Sequence, residues 1–142
     1  MPVRTRRWND PAEDGEGFQL LITRFRPRGV RKADETWDEW WPELAPSRAL
    51  LADFHGKDGA PPLPFEEYVP RYHEEMSGPA GSWRIRALGE RVAAGETVTL
   101  LCSSACTDPA RCHRTLLARL VEAAATSPSG GFAPGPRVPR SR

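Results

Sequence analysis

The sequence predicts a small, single-domain α/β fold in which a short, mostly parallel sheet is covered by helices. Two observations carry this expectation. "FQLLITRF" (Phe18 to Phe25) and "TVTLLCS" (Thr97 to Ser103) are aliphatic, β-branched runs of strand length, the pattern of strands buried inside a sheet. Segments with helical spacing fill the chain between and after them, and the order strand, strand, several helices, strand, helix belongs to α/β or α+β architecture. The two apolar strands are expected side by side and parallel.

Each element has a local reason. "PVRTRRW" (Pro2 to Trp8) reads as a short edge strand, and "NDPAEDGEG" (Asn9 to Gly17) is turn chemistry. Pro27 and Gly29 stop the second strand. Asp34 is expected to cap a helix over "ETWDEWWPEL", ended or kinked by Pro42. Trp37 and Trp41 would share a face of it, in the core or as a stacking platform. "PSRALLADFH" (Pro46 to His55) and "FEEYVPRYHEEM" (Phe65 to Met76) read as helices. "SGPAGS" (Ser77 to Ser82) reads as a break before an amphipathic helix from Trp83, which Gly95 closes. "DPARCHRTLLARLVEAAA" (Asp108 to Ala125) is expected as one helix, with Asp108 at the N-cap and Pro109 in the first position.

The chain has 142 residues, 39% of them hydrophobic and 27% charged, enough for one domain with one modest core. That domain is expected over residues 1–125, with residues 126–142 a disordered basic Pro/Gly/Ser tail. No apolar run approaches a membrane span, and "MPVRTRRW" lacks an apolar signal core. A cytoplasmic protein with reduced thiols and no membrane partner is expected. Three cysteines, an odd number, argue against a disulfide framework.

The net charge of +1 hides segregation: residues 33–75 hold eleven acids against three bases, while both chain ends are rich in arginine. Solvated faces with internal ion pairs explain this, and so does a basic surface built from the two ends to meet phosphate.

The chemistry concentrates in "VTLLCSSACTDPARCHRTLLARL" (Val98 to Leu120), which holds every cysteine. Parallel α/β sheets bind ligands beyond the carboxyl ends of their strands. Cys102 ends a strand there, and Cys112 and His113 are expected in the opening of the following helix. A helix N-terminus favours anions and lowers a nearby thiol's pKa.

Four readings stay open. Cys112 is a thiolate with His113, His55 or His73 as its base. Ser103, Ser104 and Arg114 cradle a phosphate. Cys102, Cys106, Cys112 and His113 hold zinc, at spacings that match no standard finger. Or the cysteines are small buried hydrophobes.

Arg24, Arg26 and Arg28 would share one face of an extended strand end. They would meet the cysteine loop if the two strands are parallel, or else pair with Asp38, Glu39 and Glu43. The expected site is therefore Cys112 and His113 as catalytic groups, with Arg24, Arg28, Arg114 and Ser103 binding an anion and no metal. The expected partner is a phosphate-bearing small molecule. A nucleic-acid-associated module and a zinc-stabilised interaction protein are the alternatives. Cofactor, oligomeric state and catalysis itself are left unassigned. No Walker loop, dinucleotide-binding glycine fingerprint, nucleophile elbow or HExxH occurs.

"DPAEDGEGFQLLITRFRPRGVRK", "DEWWPELAPSRALLADFHG", "FEEYVPRYHEEM" and "VTLLCSS…CHRTLLARL" together resemble the YeaO-like branch of domain-of-unknown-function family 488. The similarity runs in order over about residues 3–124. The family's "DGxRILVDRLWPRG" segment is matched at Arg24, Pro27, Arg28 and Gly29, with Lys32 following. It departs at Thr23, where the family has an acid, and at Arg26, where it has tryptophan. A Cys…Cys-His-Arg ending found in other branches falls on Cys102, Cys112, His113 and Arg114. The resemblance implies a small cytoplasmic α/β protein and assigns no reaction. Some YeaO-like proteins lack the cysteines, which speaks against a nucleophile shared by the whole branch.

Overall fold

Strand β1 (Val3–Arg7) lies at one edge of a four-stranded sheet, followed in space by β4 (Val98–Cys102), β2 (Phe18–Leu21) and β3 (Glu39–Trp40). The computed structural model describes residues 2–56 and 58–126. Every neighbouring pair is parallel. Val3 is in register with Val98 on one side of β4, and Phe18 with Val98 on the other. All five residues of β4 are buried, as expected of a central parallel strand. The tail beyond Thr126 lies outside the described residues.

Side-chain alternation divides the sheet into two faces. On one, Val3, Leu20, Val98 and Leu100 form the main core with residues from all four helices. These helices are α1 (Arg48–His55), α2 (Phe65–Met76), α3 (Pro79–Ala93) and α4 (His113–Thr126). On the other face, Leu21 and Leu101 pack with Trp37, bordered by Trp8, Val30 and Trp40. Trp8 and Trp37 meet edge to face at 6.1 Å between ring centroids. The polar alternate positions of β1 are satisfied internally. Arg6 pairs through two nitrogens with Glu16, at 2.7 and 3.0 Å, both side chains being buried.

Five expectations are corrected. No helix forms over residues 35–44. Asp34 pairs with Arg31 instead of capping (2.9 Å), Glu39–Trp40 add a parallel edge to β2, and Pro42–Leu44 make one 3₁₀ turn. Trp37 and Trp41 are both buried, but in different clusters rather than on one helical face. The expected break over residues 77–82 is the start of α3. Pro79 opens it, and Gly81 lies so close to the Met76 backbone that a Cβ would stand 2.9 Å from Met76 Cα.

The last helix does not run from Asp108. Asp108 caps only a 3₁₀ turn (Pro109–Arg111), Cys112 is extended at φ −138° and ψ 145°, and α4 begins at His113. Finally, the odd cysteine count did not prevent pairing: Cys106 and Cys112 form a disulfide and Cys102 is free.

Candidate functional site

Strands β2 and β4 end together, Leu21 opposite Leu101, so the segments leaving them emerge at the same edge of the sheet. Beyond that edge lies a cleft of about 520 Å³. Thr23, Arg24 and Phe25 form the wall that follows β2. Cys102, Ser103 and the loop to His113 form the wall that follows β4. Leu51, Phe54 and His55 of α1 and Tyr68 of α2 close the apolar side. The loop wall is tied back to the sheet by Arg7, whose Nη1 donates to the Ser104 carbonyl at 3.2 Å.

Three sulfurs form the floor. Cys102 Sγ and Cys112 Sγ are 3.3 Å apart, and the sulfurs of Cys102, Cys106 and Cys112 all lie within 4.8 Å of one another. Burial pushes the Cys102 thiol up to about 11, against the opposing pull of the Arg114 charge.

His113 is buried against Tyr72, and its Nε2 lies 2.9 Å from the Ile22 carbonyl. A carbonyl only accepts, so Nε2 must carry the proton. Nδ1 is then the lone-pair nitrogen, and it lies 3.9 Å from Cys112 Sγ. Burial lowers the His113 pKa to about 4, which keeps the ring neutral near pH 7. The arrangement therefore sets an uncharged acceptor beside a sulfur, oriented by a strand carbonyl. Cys112 and His113 can meet because Cys112 is extended, not helical.

The expected site residues separate into three groups. Arg24, Ser103, Cys112 and His113 share the cleft. Arg24 is partly committed: its Nε donates to the Pro46 carbonyl at 3.0 Å and its Nη2 to the Ala45 carbonyl at 3.1 Å.

Arg114 is buried beside the sulfurs and is not among the cleft-lining residues. Its Nε has no hydrogen-bond partner among the described residues, and its charge acts on Asp10, Cys102 and His113. Arg28 is exposed and also outside the lining. Of the other arginines near it, Arg26 pairs with Glu35 at 2.6 Å and lies over the Trp37 ring. The anticipated acids take other partners: Glu43 meets Arg84, Asp38 accepts from the Gln19 N–H, and Glu39 accepts from Trp41 Nε1.

Arg111, which precedes the Cys112–His113 pair in the sequence, is a cleft cation outside the expected anion-binding set. It ends the 3₁₀ turn, exposed at the cleft rim with its guanidinium 5.9 Å from the Phe65 ring. The signal for it was its position directly before the Cys112–His113 pair.

The chain matches the family described as the active DUF488-N3 subclade over residues 3–125. It belongs to that family. Among relatives of this DUF488-N3 protein, the uncharacterised protein YeaO of Escherichia coli K12 is 42% identical over 57 residues, 40% of this chain and 50% of its own length. The chain thus spans half of that relative. Uncharacterised proteins of Mycobacterium bovis and Mycobacterium tuberculosis are each 31% identical over 120 residues, 84% of this chain and 92% of theirs. No solved structure matches. Among the described residues, no helix is long and apolar enough to cross a membrane.

Proposed function

We propose that this DUF488-N3 protein binds a small anionic molecule, of the phosphate-bearing class, in the cleft at the ends of β2 and β4, and presents it to Cys112 and His113. The observation that carries this reading is the placement of Arg24 and Arg111 in the same cleft as the Cys112–His113 pair. A cleft of about 520 Å³ is of small-molecule size, with an apolar wall for a ligand body and a few polar groups to orient it. Arg24 and Arg111 supply positive charge from opposite walls. Ser103 supplies a hydroxyl, and Arg114 adds positive potential from behind the sulfurs. Arg28 is left out of the ligand's contacts because it points to solvent.

With the disulfide reduced and no metal bound, Cys112 is the nucleophile of the cleft. His113 Nδ1, left unprotonated by the Nε2–Ile22 carbonyl bond, lies 3.9 Å from the Cys112 sulfur and accepts a hydrogen bond from its thiol. The nucleic-acid alternative is weakened by the ion pairs that absorb Arg7, Arg26, Arg31, Arg71, Arg84 and Arg91.

The test is protection from alkylation. The reduced protein is treated with iodoacetamide, with and without adenosine monophosphate, and modification of each cysteine is followed by mass spectrometry. Saturable slowing by the nucleotide, with adenosine inert and with protection weakened at least tenfold in Arg111→Ala, supports the reading. Equal protection by adenosine, or none by the nucleotide, contradicts it.

A further inference from the structure

We infer that Cys102, Cys106 and Cys112, in their reduced form, are the three protein ligands of a zinc ion at the floor of the cleft. Their sulfurs come from three separate places: the last residue of β4, the middle of the following loop, and the extended residue before α4. The fold nevertheless gathers them within 4.8 Å of one another. Thiolates bound tetrahedrally to zinc at about 2.3 Å stand roughly 3.8 Å apart. Cys102 and Cys112 Sγ are 3.3 Å apart and all three sulfurs lie within 4.8 Å of one another, so once the Cys106–Cys112 bond is reduced a small separation of the sulfurs brings them to that spacing. All-sulfur donors select zinc or another soft ion over magnesium or calcium.

Two further features fit a metal better than three thiols packed as hydrocarbon. The first is charge. Zinc with three thiolates carries a net charge of −1, and the buried Arg114 guanidinium, whose Nε has no hydrogen-bond partner among the described residues, acts directly on Cys102. A buried cation is stabilised by nearby anions, and the cluster would add one to Asp10, on which Arg114 already acts. The second is access. All three cysteines line the cleft and Cys106 is only half-buried, so the fourth coordination position opens toward the cleft instead of being closed by a fourth side chain. Three protein ligands and an open position are the arrangement of zinc sites that engage small molecules. The Cys106–Cys112 disulfide leaves only one free thiol, so the oxidised chain cannot hold the ion and metal binding depends on reduction.

The experiment uses the metal alone as probe, so its result is read apart from nucleotide protection. The full-length chain is stripped of metal, reduced with a phosphine and titrated anaerobically with Co²⁺, then with Zn²⁺. The expected result is a thiolate-to-cobalt charge-transfer band with intense tetrahedral d–d bands. These saturate at one Co²⁺ per chain, are bleached by one equivalent of Zn²⁺, and do not appear in the unreduced protein. Cys106→Ser alters only a half-buried loop residue; with an unchanged far-ultraviolet circular dichroism spectrum it should lose the cobalt signature. A reduced wild-type chain without those bands overturns the proposal, as does a folded Cys106→Ser variant that retains them.

Discussion

Gly17 holds φ at +65°, and a Cβ there would run into the carbonyl oxygen of Thr97, the same oxygen that accepts the Phe18 N–H at 2.9 Å. Both backbone strain and steric overlap therefore oppose any side chain. Gly17→Ala is expected to lose at least about 2 kcal/mol of stability, read as a lower urea midpoint with an unchanged slope.

Next to it, Glu16 is buried in its two-point pair with Arg6. Glu16→Gln leaves the buried Arg6 charge without its counter-ion and is expected to cost about 3–5 kcal/mol in the same assay. The pair also sets a pH dependence. The hydrogen bond from Arg6 holds the Glu16 carboxyl below its ordinary value of 4.5. A depressed carboxyl pKa stabilises the fold above the unfolded value, and that stability is lost as pH falls through the folded one. Wild-type stability should therefore decline as pH drops below about 4.5, and the Glu16→Gln variant should show a flatter profile there.

Among the elements, α1 shows how local signals and long-range ones divide the work. Ser47 caps it, its Oγ accepting from the Leu50 N–H at 3.1 Å. The same hydroxyl donates to Glu75 Oε2 at 2.5 Å, and the Ser47 N–H donates to Oε1 at 2.8 Å. Arg24 holds the carbonyls of Ala45 and Pro46 from the other side. Ser47→Ala should therefore cost about 1–2 kcal/mol by chemical denaturation, at the upper end for a cap because Glu75 Oε2 also loses its hydroxyl donor.

What was legible in the sequence follows from this division. Strands β1, β2 and β4 and helices α1 and α2 announce themselves through apolar periodicity and local stop signals. β3 has two residues and no period, so only its pairing with Leu20 and Leu21 defines it. Gly81 reads as a helix breaker in isolation, yet it is required because α3 approaches the end of α2 too closely for a side chain. At the site, the meeting of the two strand ends was legible because both runs had the composition of neighbouring buried parallel strands. The fate of the three arginines was not. The alternating-face expectation needs an extended chain, but the backbone turns after Ile22, with the Thr23 hydroxyl donating to the Phe25 carbonyl at 2.6 Å. Arg24 then goes to backbone carbonyls, Arg26 to Glu35 and Arg28 to solvent.

At the scale of the whole molecule, β4 organises everything. Its alternate residues feed both clusters, Leu100 the helical core and Leu101 the tryptophan face, and its last residue supplies the first sulfur. Leu100 is fully buried, so Leu100→Ala is expected to destabilise by about 2–5 kcal/mol, measured by thermal or urea unfolding. The same centrality places the cleft between the ends of the two innermost strands, where parallel α/β sheets open for ligands. On the reading proposed above, this cleft is where the protein meets a small anion. A ¹H–¹⁵N correlation titration of the reduced protein with adenosine monophosphate tests it most directly. Saturable shifts confined to residues 23–25, 51–55 and 102–113 are expected. Shifts centred instead on Arg4, Arg6 and Arg7 of β1, or no saturable shifts at all, would contradict it.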